Sequence, residues 1–157
     1  MKTATIHEIK QELLAAPEKE LVNLCLKLAK FRKENKELLT YLLFEAHNEE
    51  GYIAATKELI GSEFEQLEAS TNLYFAKKTI RKILRIANKH IRYTGSKQAE
   101  AAILLHFCST LKQHGIPFEK STALNNLYGQ QIKKITVALN TLHEDLQYDF
   151  RRELEAL

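Results

Sequence analysis

Three observations predict an all-α fold. The 157 residues are dominated by Leu, Ala, Lys and Glu, all strong helix formers, and include only five Gly and two Pro. Strand-rich folds need more turn residues than that. Apolar residues recur at helical spacing along almost the whole chain, and cap and stop signals punctuate them. Together these predict about eight helices in antiparallel hairpins, packed as a helical bundle or a short α-solenoid-like array. The length suits a single domain, 1–157, with the hairpin 5–33 a candidate N-terminal subunit of it.

Thr5 followed by Glu8 reads as a capping box and starts a helix through Ile6, Ile9, Leu13 and Leu14. Pro17 ends it, because the residue before a proline is driven out of the helical region. Pro17 also suits the start of a second helix, with Glu18 and Glu20 near its positive end. That helix runs to about Lys33, with Leu21, Leu24, Cys25, Leu28 and Phe31 on one stripe. Val22, Leu26 and Ala29 widen the stripe, so the helix needs more than one neighbour to cover it.

Asn35 is a candidate N-cap for a third helix, whose stripe is Leu38, Leu39, Leu42, Leu43 and Ala46. Gly51 ends or bends it. A fourth helix over 52–68 carries Ile53, Ile60, Phe64 and Leu67, with Gly61 weakening it by about 1 kcal/mol relative to Ala. A polar break at 70–72 precedes a fifth helix over 73–93, and Thr94-Gly95-Ser96 is the turn that closes it. The sixth, over 97–114, buries Ala101, Leu104, Leu105, Cys108 and Leu111. Gly115-Ile116-Pro117 stops it, and a loop runs to Ser121. From Thr122 an unbroken apolar stripe continues to Leu157, too long for one ordinary helix, so a break is expected near 140–143.

The net charge is +3, but it is unevenly spread. Residues 1–76 carry 9 basic and 13 acidic groups, residues 77–97 carry 8 and none, and residues 98–157 carry 6 and 7. With Lys77 at 0° and 100° per residue, Lys77, Lys78, Arg81, Lys82, Arg85, Lys89 and Arg92 fall within about 140°. Ala76, Ile80, Ile83, Leu84, Ala87 and Ile91 occupy the opposite arc. This basic face suits nucleic acid or another polyanion, and Tyr74, inside the arc, is placed to stack on a base. The alternative is internal pairing. Glu45, Glu49, Glu50, Glu58, Glu63, Glu65 and Glu68 precede the basic helix against Lys57 alone, and the two helices are expected to be neighbours. Phe75 and Ile86, just beyond the basic arc, suggest cover over nearly half the helix.

No catalytic or metal pattern is present. None of the six histidines has an acidic residue three before it or another His at i+4, and there is no Gly-rich phosphate loop. A non-enzymatic chain without cofactor or metal is expected. Cys25 and Cys108 both fall in apolar patterns and read as buried free thiols. No run approaches the roughly 20 apolar residues of a membrane span, and the first residues lack a signal-peptide core, which points to the cytoplasm.

The opening stretch IHEIKQELLAAPEKELVNLCLKL is similar to the helical hairpins of SAP-like nucleic-acid-binding motifs, except that Pro17-Glu18-Lys19-Glu20 replaces their Gly-containing link. The spacing Ile9…Leu13, Glu20-Leu21, Leu38…Tyr41-Leu42 and Phe75-Ala76-Lys77-Lys78…Ile80 resembles a bacterial all-helical family classed as a domain of unknown function. That resemblance implies an all-α fold and no assigned activity or site residue. The expected function is an interaction or scaffolding module with a protein partner or a second copy. The alternative is nucleic-acid binding through the basic helix.

Overall fold

The computed structural model describes residues 1–69 and 71–157. Ser70, part of the expected polar break, lies outside the described residues. Among the described residues there are eight α-helices and no strand, so the fold is all-α. They are α1 (Ile6–Ala15), α2 (Glu18–Phe31), α3 (Lys33–Thr40), α4 (Glu49–Glu65), α5 (Leu73–Thr94), α6 (Lys97–Gln113), α7 (Thr122–Leu139) and α8 (Glu144–Glu155). A π-helical turn, Tyr41–Glu45, follows α3, and a 3-10 turn, Phe118–Lys120, precedes α7. The chain divides into two compact units, 1–44 and 45–157.

In the first unit the expected capping box is present. The Glu8 amide donates to Thr5 Oγ1 at 3.3 Å, and the Thr5 amide donates to Glu8 Oε2 at 2.7 Å. The bond from the Thr5 backbone, then that from its hydroxyl, lowers the Glu8 carboxyl below its ordinary value. Ala16 is extended, at ψ 140°, as the following proline requires. Asn35 is not the cap of α3. The helix already starts at Lys33, and the Asn35 side-chain amide donates to the Leu28 carbonyl at 2.8 Å. It ties α3 to the last turn of α2, satisfying a carbonyl that the helix end leaves without a partner. The principal packing in this unit is between α2 and α3.

Gly51 neither ends α3 nor bends it. The chain leaves helical geometry earlier, Asn48 caps α4, and the Gly51 amide donates to Asn48 Oδ1 at 3.0 Å. A Cβ at position 51 would collide with the Asn48 side-chain amide, so glycine here makes room for the cap.

The second unit is built around α6. Ala99, Ala101, Ala102, Ile103, Leu104, Leu105, Phe107, Cys108 and Leu111 are all buried on it, on every side of the helix. It packs against α4, α5, α7 and α8. Those helices contribute Ile60 and Phe64, Ile80 and Ile83, and Leu124 and Ile135 to one core. Phe64 stacks on Phe107 with ring centres 5.7 Å apart, and His114 Nε2 lies 2.9 Å from the Phe64 carbonyl. α5 closes on Gly95 at φ 61°, whose amide donates to the Ile91 carbonyl at 3.1 Å. Only glycine takes that left-handed conformation readily. The expected break after α7 is present, with His143 capping α8 through Nδ1, which accepts from the Asp145 amide at 3.3 Å.

Phe107 is fully enclosed between helices. Phe107→Ala is expected to lower unfolding free energy in denaturant titration by about 3–5 kcal/mol. A loss below about 1 kcal/mol would place Phe107 outside the core.

Candidate interaction surfaces

The unit 1–44 leaves most of its apolar residues open, and Tyr41 is the one residue in it that is buried. None of α1, α2 or α3 contains a buried residue. Fourteen of the nineteen large apolar side chains exposed among the described residues lie in these 44 positions, so the exposure is concentrated rather than scattered. Ile6 is 81% exposed, Phe31 77% and Leu14 71%. α3 packs against α2, and two apolar-lined grooves lie between them. One is lined by Leu26, Leu39, Leu43 and Phe44 with Lys30, Lys33 and Lys36 at its rim. The other is lined by Cys25, Leu28, Leu38 and Leu42 and is almost wholly apolar.

This exposure corrects two expectations. Leu24, Leu28, Phe31, Leu38, Leu42 and Leu43 read as core positions but are exposed. Cys25, expected to be buried, is exposed for the same reason: it shares the uncovered face. Cys108 is buried as expected, and burial pushes its thiol up to about 12, so it stays protonated and unreactive at neutral pH.

The second surface is the cationic face of α5. Its opposite arc, with Ala76, Ile80, Ile83 and Ala87, is buried against the core, as the helical wheel requires. Lys78, Arg81, Lys82, Arg85 and Arg92 are exposed, while Lys77 and Lys89 are half-buried. Tyr74 is exposed, with Lys78 Nζ 4.7 Å from its ring centre and the Phe75 ring edge-on at 5.4 Å. One face of Tyr74 is therefore already engaged by a cation. Phe75, expected to be covered, is 60% exposed, because α4 and α6 meet α5 on its other side.

The acids upstream do little to neutralise this face. α4 is adjacent to α5, and Lys82 pairs with Glu63 at 2.7 Å. With the lysine more than half exposed, that pair contributes about 0–1 kcal/mol. Lys77, Arg81, Arg85 and Arg92 form no ion pair among the described residues. Arg81, Arg85 and Arg92 face solvent, with Lys77 half-buried, along one side of a helix whose far side is fixed in the core.

The histidines have structural surroundings. His90 Nδ1 is 2.7 Å from the Tyr52 hydroxyl, and His143 serves as a cap. His106 lines a small polar cavity with Lys57, Ser109, Gln113 and Glu153. Burial, and then the Lys57 charge, holds its imidazole below the ordinary value, so it is neutral at pH 7. Ser109 Oγ there accepts a hydrogen bond from Gln113 Nε2 at 3.1 Å. Among the described residues no three His, Cys, Asp or Glu side chains are grouped to hold a metal ion, and no helix is long and apolar enough to cross a membrane.

Comparison with family models, curated proteins and solved structures finds no match. Function rests on the two surfaces.

Proposed function

We propose that this protein is a non-enzymatic helical interaction module that docks a protein partner on the apolar faces of residues 1–44. The observation that carries this reading is the contrast between the two units. α6 encloses nine apolar side chains, whereas three amphipathic helices in 1–44 enclose none. Water-exposed leucines at this density are unfavourable unless a partner covers them, and contiguous apolar patches of this kind mark protein interaction sites. A partner presenting an amphipathic helix suits the two grooves beside α3, whose linings are largely apolar.

A second reading is favoured by the cations of α5. Lys77, Arg81, Arg85 and Arg92 lie unpaired within one arc of a rigidly held helix, which supports contact with a nucleic-acid backbone or another polyanion. Tyr74 and Phe75 at the N-terminal end of the same helix add aromatic surface for stacking.

For the first reading, an environment-sensitive apolar dye is expected to bind the dilute protein. The Leu28→Glu/Phe31→Glu variant should lose most of that signal while keeping its helical circular dichroism. An absence of dye binding by the parent chain would overturn the reading. For the second, binding to a mixed-sequence oligonucleotide should weaken steeply with salt, and Arg81→Glu/Arg85→Glu should reduce both affinity and salt slope. No binding at low salt would end it.

A further inference from the structure

We propose that the partner covering α2 is a second copy of this chain, the two α2 helices packing antiparallel about a two-fold axis. This rests on the reading of 1–44 as a docking surface and names its occupant. Leu21, Leu24, Leu28 and Phe31 follow the alternating three- and four-residue spacing of a helix–helix seam. Leu24, Leu28 and Phe31 are exposed, with Leu21 half-buried at the end of the row. The groove carrying Leu38 and Leu42 adjoins Leu28 and broadens the same face.

Charge selects the occupant. α2 carries Glu18 and Glu20 in its first turn and Lys27 and Lys30 toward its end, with Arg32 and Lys33 just beyond. All six side chains belong to exposed residues. Lys19 stands beside the glutamates and Glu34 follows the cations, so the surface is net acidic at one end and net basic at the other; it is complementary to itself when reversed, as a two-fold axis reverses it. In the antiparallel register that seats Leu24 against Leu28 of the partner copy, Leu21 meets Phe31. On the helical wheel Glu18 and Arg32 share one flank of this seam, so Glu18 of one copy comes within about two residues of level with Arg32 of the other. The same pairing recurs at the other end by symmetry. A parallel pair would set acid against acid and base against base, which is repulsive at both ends. The seam midpoint falls beside Cys25, bringing the two exposed thiols near the axis.

Sedimentation equilibrium of the full chain tests this. The expected result is a concentration-dependent species of twice the 18.1 kDa chain mass. Leu24→Glu/Leu28→Glu should be monomeric with unchanged helical content. Glu18→Lys/Glu20→Lys should associate about tenfold more weakly, and adding Lys30→Glu/Arg32→Glu to that chain should restore association, because the ends have exchanged sign. A short bis-maleimide should link two parent chains through Cys25, since Cys108 is enclosed. A parent chain monomeric to about 100 µM would overturn the proposal, as would charge variants that associate like the parent. If that monomer binds the apolar dye on 1–44, the face exists and has another occupant. If it binds none, the docking surface falls as well.

Discussion

The enclosure of α6 is the constraint on which the C-terminal unit depends. A helix that is apolar on all sides has no stable place in water and must be surrounded. Nine buried residues on 17 positions leave α6 almost no polar face, so α4, α5, α7 and α8 are arranged around it. Each of those helices needs only one apolar stripe, because each has only one side to cover. The basic face of α5 follows from this. Once Ala76, Ile80, Ile83 and Ala87 are committed to the core, the opposite arc must be solvated, and there the chain has placed its longest acid-free run of charge.

The N-terminal unit meets the same physics without an enclosed helix. Its helices are 10, 14 and 8 residues long, lengths that are marginal in isolation. Helices this short are stabilised chiefly by burying an amphipathic face, and α2 has a face wider than α3 alone can cover. Under the proposed docking, a partner would do two things at once. It would remove leucines from water, and it would supply tertiary contacts that hold the three helices in place. The polar details of the unit support this division: the Thr5–Glu8 capping box and the Asn35–Leu28 tie secure helix ends, and neither encloses a side chain.

The fold class and nearly every helix of the C-terminal unit were legible in the sequence, because their apolar stripes are continuous and Gly95 and Gly115-Ile116-Pro117 are strong stops; the caps came from the structure. Asn72, Ser96, Ser121 and His143 each cap the helix that follows them, and Gly95 closes α5 in the conformation only glycine favours. The role of Gly51 was not legible, since it depends on where Asn48 places its side chain, and nothing in the apolar spacing marks the π turn at Tyr41–Glu45. Periodicity identifies which residues form an apolar face. It does not say whether the chain itself covers that face, and so Leu24, Leu28 and Phe31 read as core. The one sequence signal for their exposure was the width of the α2 stripe. The seven cations on α5 were readable as a single face. That Lys77, Arg81, Arg85 and Arg92 form no ion pair among the described residues, while Lys82 pairs with Glu63, was not, because neighbouring helices can turn opposite charges toward or away from one another.

Hydrogen–deuterium exchange measured across a concentration series tests the central claim, that the faces of 1–44 are covered by a partner and not by the chain itself. Amides of α6 should exchange slowly at every concentration. Amides of α2 should exchange fast in dilute protein and become protected as concentration rises, with the Leu24→Glu/Leu28→Glu variant remaining fast throughout. Protection of α2 equal to that of α6 and independent of concentration would contradict it.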